Sequence, residues 1–127
     1  MDLKEYFEST DGLGILSTAD GDGNVDSAIY ATPHILSEDR IGFIMRPRLS
    51  LKNVQQNPKA VYMYIEKGPG YQGRRLYLEK TYQEDDPEKV QQYRRTSHGH
   101  GGDESEASFV HFRITHVRPL VGDKEQE

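Results

Sequence analysis

The stretch Arg40-Ile-Gly-Phe-Ile-Met-Arg46-Pro-Arg48-Leu-Ser50-Leu-Lys52-Asn53-Val-Gln-Gln-Asn-Pro58-Lys-Ala-Val-Tyr-Met-Tyr-Ile65 holds a strand, a short helix and a second strand. Ile41, Phe43 and Met45 alternate along residues 40–45, the period-two pattern of a strand with one buried face. Ser50 is a favoured N-cap and Pro58 cannot continue a helix, so residues 50–57 are expected to be helical and to stop there. Residues 60–65, rich in Val, Tyr and Ile, resume a strand.

Working outward from this unit gives more short strands. Upstream, Ser37-Glu-Asp39 reads as a turn, residues 25–35 as one strand, Asp20-Gly-Asp-Gly-Asn24 as a dense turn signal and residues 14–19 as a strand. A short amphipathic helix over residues 3–9 places Leu3, Tyr6 and Phe7 on one face and ends before Gly12 and Gly14. Downstream, residues 66–73 form a loop and 74–82 a strand. Asp86-Pro87 opens a helix, Asp as N-cap and Pro at its first position, that runs to about residue 95. After a polar loop at 97–107, the last strand spans 108–117, with Val110, Phe112 and Ile114 facing one way and His111, Arg113 and Thr115 the other. Six strands with two or three short flanking helices imply a mainly β protein, a barrel or a strongly curved sheet. One domain is expected over residues 1–122, followed by a frayed acidic tail at 123–127.

Composition narrows the class. The 127 residues are 34% hydrophobic and 29% charged, with twelve glycines and six prolines. A core this lean suits a barrel whose apolar surface is completed by a second copy, so a homodimer is expected. No cysteine is present, which removes thiolate chemistry, disulfides and cysteine-ligated metal sites. The first residues carry neither an apolar run nor a basic leader, and no window reaches the roughly 18 apolar residues of a membrane helix. The expectation is a cytoplasmic protein with no membrane and no nucleic-acid partner, because 21 acidic against 16 basic residues leave a net charge of −5.

The charge is unevenly placed. From Ile41 to Ile65 there is no Asp or Glu, yet Arg46, Arg48, Lys52 and Lys59 all lie there. A helix N-terminus carries unpaired N–H groups and partial positive charge. With Arg48, Ser50 and Lys52 beside it, the start of the 50–57 helix reads as a phosphate site; the bland alternative is a solvated basic turn.

Other patterns carry less. Gly68-Pro-Gly70-Tyr-Gln-Gly73 matches a dinucleotide fingerprint by letter, but a strand follows it where the motif needs a helix, so it reads as a hairpin loop. Asp20 to Asn24 resembles a calcium loop, except that Val25 stands at the sharp-turn glycine position and Ala31 at that of the bidentate Glu. His98-Gly-His100-Gly-Gly-Asp103-Glu104 groups two imidazoles with two carboxylates, but a glycine-rich loop loses much entropy on ordering around a metal; a polar loop is the simpler reading. No serine sits on a strand-to-helix elbow, so no hydrolytic nucleophile and no catalytic side chain is assigned.

The order of these elements, with the run Lys52-Asn-Val-Gln-Gln-Asn-Pro58, resembles the pyridoxamine 5'-phosphate oxidase-like flavin-binding split barrels. Gly14-Ile-Leu-Ser-Thr-Ala-Asp, Asp26-Ser-Ala-Ile-Tyr30, Arg74-Arg-Leu-Tyr-Leu-Glu and Phe109-Val-His-Phe-Arg-Ile-Thr-His-Val extend the likeness over roughly residues 5–122. The resemblance implies a six-stranded split β-barrel holding FMN across a homodimer interface. Ser27, Ala28, Ile29 and Tyr30 would lie beside the isoalloxazine ring, while Arg46, Arg48, Ser50, Lys52 and Asn53 would hold the phosphate and ribityl chain. Ser50 stands where many members carry a Lys, which shifts charge pairing onto Arg48 and Lys52. After Pro119 there is no counterpart of the Trp- and Arg-bearing segment that grips pyridoxamine in the true oxidase, so vitamin B6 oxidation is not implied. The expected function is an FMN-dependent oxidoreductase or electron carrier acting on a small redox substrate or electron donor. The alternative is a non-catalytic module on the same barrel that binds haem, another phosphorylated ligand or a metal.

Overall fold

A computed structural model describes residues 2–94 and 106–124. The elements run α1 (Leu3–Ser9), β1 (Gly12–Ala19), β2 (Val25–Ile29), β3 (His34–Ile35), β4 (Arg40–Met45), α2 (Leu49–Gln56), β5 (Lys59–Glu66), β6 (Gly73–Glu84), α3 (Pro87–Gln91) and β7 (Ser108–Pro119). The seven strands form one antiparallel sheet in the order β2-β1-β5-β6-β7-β4-β3.

The expected strand over residues 25–35 is two strands, and their separation makes the barrel. β2 and β3 follow each other in the chain yet occupy opposite edges of the sheet. A flat sheet of seven strands would hold its edges about 29 Å apart at ~4.8 Å per strand. The connection through residues 30–33 reaches less than about 20 Å even when extended. The sheet therefore has to curl until its edges approach, leaving a split between them. Pro33 lies in that connection and has no N–H to give a ladder.

Inside the curl, alternate residues of five strands meet: Leu16 of β1, Ile41, Phe43 and Met45 of β4, Tyr62 and Tyr64 of β5, Leu76 and Leu78 of β6, and Val110 and Phe112 of β7. Leu3 of α1, with Tyr6 and Phe7 partly buried, closes one part of this core, and Leu51 and Val54 of α2 join it from another side. A second cluster on the outer face packs Val90 of α3 and Ala107 against Phe109. Gly42 leaves the room for that ring, since a Cβ there would stand 2.2 Å from Phe109. Register shifts at Tyr77/Leu78 and Lys80/Tyr82 bend the long β6–β7 ribbon. Among the described residues, no helix is long and apolar enough to cross a membrane.

Gly14 sets the geometry where β2 ends. A Cβ on Gly14 would lie 1.9 Å from the Tyr62 hydroxyl. Into that space Tyr62 places its phenol, which donates to the carbonyls of Tyr30 (3.3 Å) and Ala31 (3.1 Å). The Tyr30 N–H in turn donates to the Gly14 carbonyl at 3.0 Å. The chain is thus pinned where it leaves one sheet edge for the other.

A cleft between the end of β2 and the start of α2

Pinning Tyr30 fixes one wall of a cleft of about 310 Å³ lined by Asp26, Ala28, Ile29, Tyr30, Ile44, Arg46, Arg48, Leu49 and Ser50. β2 supplies the first wall: Asp26 and Ala28 share one face of the strand, and Tyr30 continues that alternation beyond its end. The opposite wall is the turn from β4 into α2. Arg48 is the N-cap of α2, with an extended backbone and no side-chain capping hydrogen bond. The first-turn N–H groups, which have no acceptor inside any helix, therefore receive none from the cap side chain. Those donors, the partial positive charge of the helix end and two guanidinium groups all converge on this wall.

Ser50 lies inside the helix rather than at its cap. The N-cap is Arg48, two residues before the one its sequence suggests, and Ser50 is only 5% exposed. It lines the cleft together with Tyr30. Burial raises the pKa of Tyr30, against the opposing effects of Ser50 and the nearby Arg48 charge, so the phenol stays protonated at neutral pH.

The structure brings together Ala28, Ile29, Tyr30, Arg46, Arg48 and Ser50. Three residues expected with them stand apart, each for a local reason. Ser27 is on the opposite face of β2, because neighbouring residues of a strand alternate, and its hydroxyl is 2.8 Å from that of Ser17. Asn53 is buried one turn along α2, where its amide donates to Thr18 Oγ1 at 3.0 Å and ties the helix to β1. Lys52 is exposed on α2 and does not line the cleft. Asp26, Ile44 and Leu49 line it without having been singled out in the sequence. Counting back from Tyr30 in steps of two would have reached Asp26.

A larger groove of about 750 Å³ crosses the outer face, lined by residues that include Ser17, Val25, Lys59, Val61, Tyr77, Arg113 and His116. Its cations are already engaged: Lys59 and Arg113 each lie 2.9 Å from Glu79. Lys59 first, then Arg113, holds the Glu79 carboxyl below its ordinary pKa. Elsewhere, Asp20 accepts from the N–H groups of Asp22 and Asn24, each at 2.9 Å, which makes its segment a self-contained turn. The Gly68 to Gly73 segment is the β5–β6 hairpin loop, with positive φ at Gly68, Gly70 and Tyr71. His98, His100, Asp103 and Glu104 lie outside the described residues, and no group of three or more metal-ligating side chains occurs among the described ones.

No protein-family model matches the sequence, and no curated protein matches it. Solved structures do share its fold. HupZ of Group A Streptococcus is 11% identical over 99% of this chain and 97% of its own, with a TM-score of 0.76. An FMN-binding protein from Syntrophomonas wolfei subsp. wolfei is 17% identical, covering 93% of this chain and 83% of its own, at a TM-score of 0.73. A pyridoxinephosphate oxidase family protein from Clostridium acetobutylicum, related to general stress protein 26 of B. subtilis, is 9% identical over 98% and 89%, at 0.68. The chain has the split-barrel fold of the pyridoxamine 5'-phosphate oxidase-like proteins.

Proposed function

We propose that the chain is an FMN-binding flavoprotein, a small oxidoreductase or electron carrier, whose cofactor lies in the cleft between β2 and α2. The observation that carries this reading is the meeting of the uncapped, Arg48-flanked start of α2 with the cleft face of β2. The donor set fits a phosphate: two guanidiniums, helix-end N–H groups and a hydroxyl, all of them donors to an oxyanion. Ala28, Ile29 and Tyr30 then offer backbone groups and apolar surface to a flat ring. Bound flavin would supply the redox chemistry, with the protein supplying position and electrostatics.

A second copy of the chain completes the site in this reading. The cleft is at the small end of the ~300–1,000 Å³ range of ligand pockets, so one chain would leave much of a flavin exposed. On the same strand Val25, beside the large groove, is 82% exposed, and Ile29, in the cleft, 71%. Apolar residues so exposed on an edge strand suit an isologous interface. The visible spectrum of freshly purified protein tests the cofactor, and sedimentation tests the assembly. Bound flavin on a dimer is the expected result; a colourless protein that takes up no FMN overturns the reading.

A further inference from the structure

Of the side chains that line the cleft, Arg46 and Arg48 only donate hydrogen bonds, and Tyr30 and Ser50 donate or accept. Asp26 alone can only accept. A site for a bare phosphate has no use for that carboxylate, which repels the charge that the arginines attract. Asp26 lies opposite the buried Thr18 of β1, on the face of β2 that alternates with Val25 and Ser27. Among the described residues its carboxyl group makes no hydrogen bond and no ion pair, so neither cleft arginine occupies its oxygens. On the flavin reading just given, we infer that Asp26 is a specificity-determining residue. It accepts from a hydroxyl of the polyol chain that joins the flavin ring to its phosphate, and so favours ligands that carry hydroxyls beside the phosphate.

The size of the cleft makes both signs of charge act on one ligand. At about 310 Å³ it is too small to keep the guanidiniums and the carboxylate in separate compartments. A ligand that fills it must bring an anion and a hydrogen-bond donor within a few bonds of each other. A phosphate ester of a polyol does this, because the carbons next to the ester carry hydroxyls. An O–H bond to a carboxylate is charge-assisted and about twice as strong as a neutral one, which offsets the repulsion between Asp26 and the phosphate. The carboxylate is set on a strand whose register with β1 is fixed over residues 25–29, so the acceptor has its place before a ligand arrives. The other donor that a flavin offers is the imide N–H of its ring, and a ring without the polyol separates the two.

Three flavins make the probes: FMN, riboflavin, which lacks the phosphate, and lumiflavin, which lacks the polyol as well. Wild type, Asp26→Ala and the isosteric Asp26→Asn are titrated as apoprotein with each, and melting temperature reports whether each variant is folded. Asp26→Ala should weaken riboflavin about tenfold, the loss of one hydrogen bond to a charged group. Lumiflavin affinity should stay within about twofold. FMN should lose less than riboflavin, because removing the carboxylate also relieves its repulsion of the phosphate. Asp26→Asn keeps an acceptor oxygen without the charge, and should weaken riboflavin by only about threefold. Unchanged riboflavin affinity in Asp26→Ala would reduce the residue to a counter-charge for the arginines and overturn the inference. An equal loss for lumiflavin, in variants that melt like wild type, would move the carboxylate to the ring and overturn it too. Either result leaves the flavin reading intact, whereas a wild-type protein that binds none of the three overturns that reading and this inference together.

Discussion

The cleft and the outer groove lie on the two sides of β2, and the groove is the larger by more than twofold, about 750 against 310 Å³. It also holds Lys59, Arg113 and His116. Yet Lys59 and Arg113 both face Glu79, so the groove presents a neutralised ion network beside apolar residues. The cleft is smaller and holds Arg46, Arg48 and the Asp26 carboxylate, with the arginines next to a helix end that has no capping side chain. On the phosphate reading proposed above, counting cations or volume would not find the anion site. What distinguishes the cleft is that its arginines stand beside the backbone donors of a helix start with no capping side chain.

Gly14→Val should break the comparison most severely, because it disturbs the pinned end of β2 that walls the cleft. A side chain there collides with the Tyr62 phenol and the Tyr30 carbonyl. Overpacking of this kind costs about 1–3 kcal/mol or more. Thermal melting should show the loss, and FMN affinity should fall along with that for riboflavin. Next in size is Arg48→Ala, expected to weaken FMN about ten- to a hundredfold while sparing riboflavin. Flavin titration with both ligands checks it; equal losses would move the phosphate elsewhere.

Asn53→Ala sharpens the contrast from inside the fold. Losing the buried bond to Thr18 should cost roughly 1–3 kcal/mol of stability by denaturant unfolding. It should lower FMN and riboflavin affinity alike, because Asn53 anchors α2 without facing the cleft. Lys52→Ala, on the exposed side of the helix, should shift FMN affinity by about threefold or less, a screened helix-end charge effect.

The smallest effect belongs to the groove. Glu79→Gln frees Lys59 and Arg113 without approaching the cleft, so FMN affinity should remain within about twofold. Its signature is in acid. A carboxyl held below its ordinary pKa stabilises the folded chain above that ordinary value, and the contribution is lost as pH falls through the lowered one. Melting curves of wild type and Glu79→Gln should therefore differ at neutral pH and converge as the solution is acidified. Curves that stay parallel down through the carboxylate range would show the network to be inert.

Much of the fold was legible because local rules agreed with it. The spacing of Leu3, Tyr6 and Phe7 gave α1, alternation gave β4 and the core face of β7, and Asp86-Pro87 gave the start of α3, where Asp86 accepts from Glu88 N–H. The break between β2 and β3 was written in Thr32-Pro33, but extended residues on both sides hid that they pair at opposite edges. That fact depends on β7 lying between β6 and β4. For the site, the basic turn and helix start were readable from residues 46–50 alone. The burial of Ser50, the inward turn of Asn53 and the facing of Asp26 were not. Asn53, for instance, is held inward by Thr18 on β1, a partner that a local pattern does not contain.

The short tie between the two sheet edges also governs when the site can exist during synthesis. Every residue lining the cleft falls between Asp26 and Ser50, in the first half of the chain. Among the described residues, however, β4 is held in the sheet by the two-residue β3 and by β7, which follows the other six strands in chain order. A nascent chain can present α1, the β1–β2 hairpin and α2 early, because these are local structures that form quickly. It cannot set Arg46 and Arg48 against Tyr30 until residues 108–119 pair with β4. Cofactor capture should thus follow the pairing of β7 with β4, and a fragment ending before β7 should hold all the cleft's residues and no cleft.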